Sequence, residues 1–292
     1  MLALGSWPWG AIMLDAGVTM MPPRLSAEEL AELAEAVRLL EGESFAQRLM
    51  RVFGGHVKMI GQALPEAARK AVAVATDAAL KAALRAALRS LSADVAPKPR
   101  NRLHQAAAAA TGAVGGAFGF AATAVELPVS TTILLRSIAE IARQNGEDLK
   151  NPETGLACLN VLGLGGESTP GADTRRSRYY ETRRQLARSL ADVDFMLLKQ
   201  GLATELSTML TPYLSRLAAR FGVVVTEKLA AQAVPVIGAV GGAAVNAAFA
   251  HHFQAMARGH FTIRRLERRY GAEAVRFEYE RLRGELTPPA AT

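Results

Sequence analysis

The feature that most constrains this chain is the motif Gly-Ala-Val-Gly-Gly-Ala, which occurs at residues 112–117 and again at 238–243. Each copy lies in an alanine-rich run without charged residues, at 106–125 and 229–250. Glycines three and four residues apart share one side of a helix, where the missing Cβ lets another backbone approach closely. We therefore predict two glycine-rich helical hairpins that pack together at the centre of the fold. Their packing glycines are Gly112, Gly115, Gly116 and Gly119 in the first run and Gly238, Gly241 and Gly242 in the second.

The remaining sequence favours an all-α protein. Half of the 292 residues are hydrophobic, which is enough for a sizeable core. Ala, Leu, Arg and Glu are good helix formers and dominate the chain, whereas β-branched residues form a run only at 223–226. The single cysteine, Cys158, excludes an internal disulfide and is typical of a reducing compartment. Its place among leucines predicts a buried thiol.

Capping residues and helix breakers predict where several helices begin and end. Ser26 with Glu29 forms a capping box, and Asn151 followed by Pro152 is a strong helix start. Pro128 is expected to end the first glycine-rich run and to begin a new helix that extends to about residue 143. We also expect interruptions at Gly201, Pro212 and Gly222, and separate final helices from about residue 253 to residue 284.

One helical domain is expected over residues 26–284, with a hinge at the proline-containing segment 96–100. Residues 1–25 are interpreted as disordered or as preceding the true start, at Met20 or Met21. The tail at 285–292 is expected to be disordered.

The glycine-rich runs have three interpretations. About 20 apolar residues cross a bilayer, so both runs are long enough to be transmembrane spans. Ala and Gly insert less readily than Leu and Ile, and Pro235 and Asn246 interrupt the second run. A buried soluble core of closely packed helices is the second interpretation. Segments that insert at a membrane surface are the third.

A basic helix is the strongest candidate for a binding surface. The formal net charge of the chain is +7, which favours anionic partners. Tyr179 and Tyr180 lie among the arginines, and such a helix suits an anionic membrane surface or lipid. Nucleic acid attracts the same charges, but no recognition motif is present, so we do not expect it as a partner. A solvated helix face is the alternative. The predicted binding residues are Arg175, Arg176, Arg178, Arg183, Arg184 and Arg188.

Evidence for catalysis is limited to Glu126 and His252. Glu126 ends a charge-free run. Its carboxylate is either buried and paired with Arg136 or a cap for the next helix, and we keep both interpretations. The neighbouring His251 and His252 point about 100° apart on a helix, and with His260 they show no metal-binding spacing. Serine-nucleophile and phosphate-loop motifs are missing. We therefore predict no metal and no cofactor.

Ten ordered segments of the chain, with Asn246 and Phe249, carry a resemblance to a known family. The segments are 115–119, 126–128, 131–139, 151–154, 156–159, 235–242, 252–253, 257–261, 265–267 and 270–271. They resemble the EcsC family of bacterial proteins, over residues from about 45 to about 283.

The resemblance implies an all-α fold, membrane association and a link to an ABC transporter, and it implies no reaction. We therefore expect a non-enzymatic membrane- or lipid-associated accessory protein, cytoplasmic and peripheral to the inner membrane. A hydrolase that uses Glu126 and a histidine is one alternative, and an oligomerising structural module is another.

Overall fold

The structure, a computed structural model, describes residues 24–53, 66–92, 120–166, 177–191, 209–232 and 238–286. Within these ranges the chain forms nine α-helices and no strand, which confirms the all-α prediction. The helices are α1 (Ala27–Glu41), α2 (Phe45–Phe53), α3 (Glu66–Ser92), α4 (Phe120–Gln144), α5 (Pro152–Leu164), α6 (Arg178–Arg188), α7 (Thr211–Gln232), α8 (Gly238–Tyr270) and α9 (Ala272–Leu286).

Local capping signals determine where three of these helices begin. The capping box of α1 is confirmed, because the Glu29 amide donates to Ser26 Oγ at 3.2 Å and the Ser26 amide donates to Glu29 Oε2 at 2.9 Å. Ser44 and Gln47 form the same reciprocal pair before α2. Asn151 caps α5 by accepting from the Glu153 amide at 2.9 Å. Each cap satisfies backbone donors that have no partner within the helix.

The expected break at Pro128 is wrong, because α4 continues through this residue. An interior proline costs about 3 kcal/mol of helix stability. Leu127 before the proline and Leu134 and Ile138 after it are all buried in one core. Burial of each such side chain contributes about 1.5–3 kcal/mol, so the burial gained by a continuous helix outweighs the cost of the proline.

The expected interruption at Gly222 is also wrong, because α7 runs through it to Gln232. A helix-interior glycine costs only about 1 kcal/mol. Three neighbouring side chains, those of Phe221, Val224 and Val225, are at most 1% exposed. Pro212 lies in the first turn of α7, where its missing N–H has no consequence.

The second copy of the glycine motif, at 238–243, forms the first turns of α8, a single helix of 33 residues. The prediction that a separate helix begins at about residue 253 is therefore wrong. Gly271, with φ of 86°, ends α8, and α9 follows it. The first glycine-rich run at 112–119 and the proposed hinge at 96–100 lie outside the described residues, so the packing of two glycine-rich hairpins stays a prediction.

Helix α8 is the central element of the fold and contacts α1, α2, α4, α5, α7 and α9. An aromatic cluster joins it to α7. The ring centroids of Phe249 and Phe253 are 5.0 Å apart, and Phe221 lies 5.5 Å from Phe253 in an edge-to-face arrangement. Such aromatic pairs add about 0.5–1.5 kcal/mol each beyond their buried area.

A close contact between α1 and α8 depends on Gly259. A Cβ placed on Gly259 would lie 2.7 Å from Leu40 Cγ and 3.2 Å from the Ala36 carbonyl oxygen. A Cβ on Gly242 would have no atom of the described residues within 4 Å. Gly259 is not among the predicted packing glycines, because it lies outside both glycine-rich runs.

Candidate functional site

The basic helix α6 is held in place by one carboxylate of α1. Glu41 Oε1 accepts from Ser177 Oγ at 2.5 Å, and Oε2 accepts from the Arg178 amide at 3.1 Å. The negative charge lies at the positive end of the α6 dipole, which stabilises the helix. Tyr279 of α9 donates to the same carboxylate at 2.8 Å. Glu41 therefore joins α1, α6 and α9, a role that its position at the end of α1 did not signal.

Arg183, one of the predicted binding residues, points into the protein. Its guanidinium donates two parallel hydrogen bonds to Glu267 of α8, at 2.7 and 3.0 Å. Bidentate pairs of this kind are among the strongest hydrogen-bonded contacts. Burial alone would lower the pKa of Arg183, but Tyr179 and Glu267 raise it above its usual value. Arg183 is therefore a charged structural residue that connects α6 to α8.

Tyr179 and His260 extend this polar cluster into the core. Arg183 donates to the Tyr179 hydroxyl at 3.1 Å, and that hydroxyl lies 3.0 Å from His260 Nδ1. The other ring nitrogen, Nε2, is buried and has no hydrogen-bond partner among the described residues. Burial, with the charges of Arg183 and Arg264, holds the pKa of His260 well below its usual value. His260 is therefore neutral at pH 7.

His252 is also buried and neutral. Its Nε2 lies 2.9 Å from the Gly165 carbonyl oxygen and donates to it. Burial lowers the pKa of His252 to about 4, and the nearby charge of Arg48 acts in the same direction. Glu126 lies in α4, but its side chain is outside the described part of the structure, so its pairing with His252 stays a prediction. His251 is exposed.

Cys158 confirms the prediction of a buried thiol. Burial, with the negative charge of Glu147, raises the pKa of Cys158 to about 12, so the reactive thiolate is not populated at neutral pH. Within the described ranges, no group of three or more His, Cys, Asp and Glu side chains is arranged to hold a metal ion.

Several arginines of α8 are structural. Arg264 donates to Glu147 at 2.8 and 3.1 Å, and Arg268 also binds this carboxylate. Burial alone would raise the pKa of Glu147, but these two arginines and Thr154 lower it overall. Arg269 pairs with Glu29 of α1 at 2.7 Å. The hydrogen bond from Tyr270, with those from Ser26 and the charge of Arg269, lowers the pKa of Glu29 to about 2.

The predicted binding arginines of α6 divide between the interior and the surface. Arg178 donates to the Gly42 carbonyl at 2.6 Å, and Arg183 pairs with Glu267. Arg184 and Arg188 are exposed, and Arg184 pairs with Glu181 at 2.5 Å. Arg175 and Arg176 lie outside the described residues.

Three arginines from α7 and α9 contact α6, and Arg220 among them is half-buried. Arg216 donates to the Gln185 carbonyl at 3.2 Å, and Arg220 donates to Thr182 Oγ1 at 2.8 Å. The guanidinium of Arg276 lies 5.4 Å from the ring centroid of Tyr180, a cation–π contact. We call this set the α6 arginine surface; it comprises Arg184, Arg188, Arg216, Arg220 and Arg276.

The α6 arginine surface carries excess positive charge. Of its five guanidinium groups, only that of Arg184 forms an ion pair with a carboxylate among the described residues. The other four bind carbonyl, amide or hydroxyl oxygens, lie over an aromatic ring or face solvent. Sequence reasoning identified two of the five, since Arg216, Arg220 and Arg276 lie far along the chain and reach α6 only in the folded state.

Comparison with known protein families gives a match over residues 27–266, which is most of the chain. This chain belongs to the EcsC protein family. The match confirms the resemblance seen in the sequence. In this EcsC protein it begins at the first residue of α1 and ends within α8, so the expected limits of about 45 and 283 were both too late. No curated protein and no solved structure matches the chain.

The helices of this EcsC protein were also compared with the length and apolarity that a bilayer requires. Among the described residues, no helix is long and apolar enough to span a membrane. The first glycine-rich run lies largely outside those residues.

Proposed function

We propose that this EcsC protein is a non-enzymatic accessory protein that binds the anionic surface of a membrane through the α6 arginine surface. The observation that carries the proposal is the group of four guanidinium groups without a carboxylate partner in the described structure. Each basic residue close to an anionic leaflet contributes about 1 kcal/mol of attraction. Arg188, Arg216 and Arg276 are exposed, and their combined attraction favours peripheral, salt-sensitive binding.

The surface is held rigidly, which favours binding. Glu41 fixes the first turn of α6, and the Arg183–Glu267 pair fixes its middle against α8. Arginines on a fixed helix lose less conformational freedom on contact than arginines on a mobile segment. Phe277 follows Arg276 in α9 and is 70% exposed. Aromatic side chains favour the boundary between headgroups and acyl chains.

The proposal places the protein on the cytoplasmic side of the inner membrane. A membrane transporter is the protein partner expected from the family resemblance. Pairing of glycine faces between two copies is the expected route to an oligomer. Neither partner is needed for the surface to bind lipid, so lipid binding is the step to test first.

Co-sedimentation of the purified protein with vesicles tests the proposal. We expect binding to vesicles that contain phosphatidylglycerol, weak binding to phosphatidylcholine vesicles, and release from the former as salt is raised. Arg188→Glu and Arg216→Glu each change the contact by two charges, or about 2 kcal/mol, which is roughly a 30-fold loss of affinity.

Arg143→Glu provides a matched control, because Arg143 is exposed on α4 and pairs with Glu140. It makes the same change in net charge away from α6, so a general charge effect would weaken all three variants equally. Equal weakening, or no binding of the wild-type protein to anionic vesicles at low salt, would contradict the proposal. In that case the α6 arginine surface is a solvated helix face.

A further inference from the structure

Ion pairs between α1 and α8 form a ladder. At the next position along the two helices, which we call the open position, no ion pair joins them. Glu29 pairs with Arg269 at 2.7 Å, and Glu32 pairs with Arg265 at 2.5 Å. Residue numbers rise along α1 as they fall along α8, so the two helices are antiparallel. The next acid on the same side of α1 is Glu35, and the next base on the same side of α8 as Arg265 is Arg258.

Glu35 and Arg258 do not pair with each other. Glu35 instead accepts from Arg38 of its own helix at 2.5 Å, in a contact whose side chains are more than half exposed. Exposed pairs of this kind contribute little to stability, so Glu35 is available to another partner at small cost. Arg258 is exposed and has no hydrogen-bond or ion-pair partner among the described residues.

A groove of about 530 Å³ lies at this open position. It runs between α1, the end of α4 and α8, and its size is typical of sites for small molecules. Ala36, Leu39 and Ile141 supply its apolar lining, and Gln144 and Asn145 add amide groups. The groove therefore combines an apolar surface with polar groups of both charges.

The charges of the groove are divided between its two long walls. Glu32 and Glu35 lie on the α1 wall, whereas Arg258 and Arg265 lie on the α8 wall with Thr262 between them. The Nε–H of Arg265 is buried and has no acceptor among the described residues. The protein encloses this donor, so the groups of Arg265 that face the groove are its other guanidinium nitrogens.

A ligand with a single charge fits these walls poorly. A lone anion near Arg258 would also approach Glu35, and a lone cation near Glu35 would also approach Arg258. A ligand that carries both charges can place its cation beside Glu35 and its anion beside Arg258. It would then supply the ion pairs that are missing at the open position. The division of charge therefore selects for a zwitterion.

We propose that this groove binds a small zwitterion, with its phosphate or carboxylate on Arg258 and Thr262 and its ammonium group on Glu35. Both amino-phosphate compounds and short peptides have this chemistry. The site lies on other residues than the α6 arginine surface, so the inference does not rest on membrane binding.

Titration calorimetry with phosphoethanolamine and with triglycine tests the proposal. We expect at least one of them to bind at least 10-fold more tightly than ethanolamine or inorganic phosphate alone. Glu35→Gln and Arg258→Gln each remove one charge from the site, so each is expected to weaken binding by 10-fold or more. Arg188→Gln, a neutralised exposed arginine on α6, serves as the control and should bind as the wild type does.

Thermal unfolding of each variant checks that folding is intact, which we expect because Glu35 and Arg258 lie at the surface. Failure of both zwitterions to bind overturns the proposal. So does binding of phosphate alone with equal affinity, or undiminished binding by both Glu35→Gln and Arg258→Gln.

Zwitterionic groups occur both on lipid headgroups and on free compounds. A vesicle-binding experiment distinguishes these two sources. Vesicles of phosphatidylethanolamine and phosphatidylcholine carry no net charge, so they do not engage the α6 arginine surface. Vesicle binding that free phosphoethanolamine displaces, and that Arg258→Gln abolishes, identifies a lipid headgroup. Binding of the free compound without vesicle binding identifies a soluble ligand.

Discussion

The hydroxyl of Tyr179 lies 3.0 Å from Nδ1 of His260, in a part of the core where the two residues are 2% and 1% exposed. The contact joins α6 to α8 by side chains 81 positions apart in the sequence. Burial and the charge of Arg183, which donates to the same hydroxyl, hold the pKa of the imidazole well below its usual value. Protonation of His260 would therefore place a second positive charge beside a buried guanidinium.

Buried neutral histidines predict a loss of stability in mild acid. The unfolded chain binds protons on His252 and His260 near pH 6.5, whereas the folded protein holds both pKa values lower. Stability is therefore full above pH 6.5 and falls as the pH is lowered from there. Between 6.5 and about 4, His252 alone reduces the free energy of unfolding by about 3 kcal/mol. Urea denaturation at a series of pH values measures this dependence.

His252→Gln separates this effect from other titrations. Glutamine retains a side-chain N–H that can donate to the Gly165 carbonyl, but it does not titrate. We expect a flatter dependence of stability on pH between 6.5 and 4.5 in this variant, and no change for the exposed neighbour in His251→Gln. Glu29 and Glu147, whose pKa values are lowered, contribute stability that is lost only below about pH 4.5. An unaltered dependence in His252→Gln would contradict the assignment.

The Arg183–Glu267 pair predicts a large cost for removing one charge. Glu267→Gln leaves the Arg183 guanidinium largely buried without its counter-charge, and breaking such a pair costs about 3 kcal/mol or more. Glu140→Gln provides the comparison, because the Glu140–Arg143 pair is exposed and is expected to contribute little to stability. Equal losses of unfolding free energy in the two variants would show that Arg183 is solvated.

We predict that reaction of the Cys158 thiol reports on unfolding. Its pKa of about 12 and its burial in α5 should prevent reaction with an aromatic disulfide reagent in the folded protein. Because it is the only cysteine in the chain, the labelling rate in urea should follow the unfolded fraction. Rapid labelling of the native protein at pH 7 would contradict this burial.

Short-range signals were predictable from the sequence. The caps at Ser26 and Asn151 act within three residues, so local chemistry alone determines them. Pro128 and Gly222 were misjudged because their local cost is about 3 and 1 kcal/mol, which is less than the burial gained by the helices around them. Local propensity identifies a potential break, but long-range packing decides whether it occurs.

The roles of the arginines were less predictable than the helices. Arg178, Arg183, Arg184 and Arg188 look alike in the sequence, yet two are bound to interior partners and two are exposed. The carboxylate that pairs with Arg183 lies 84 residues away. The ladder partners of α1 and α8 are more than 230 residues apart. No local pattern carries such pairings, so the groove at their open end was not predicted either.

The two glycines Gly259 and Gly242 of α8 predict opposite effects of the same substitution. At Gly259, a Cβ would lie 2.7 Å from Leu40 Cγ and 3.2 Å from a backbone oxygen of α1, so the helices must separate or Leu40 must move. We expect Gly259→Ala to destabilise the protein by about 1–3 kcal/mol. At Gly242 no atom of the described residues lies within 4 Å of a Cβ, so Gly242→Ala should raise helix propensity and stabilise by about 0.5–1 kcal/mol. Urea denaturation of the two variants measures both changes.

Destabilisation by Gly242→Ala would instead support the predicted packing of the glycine-rich runs against each other, because the added methyl group would then meet a neighbouring helix.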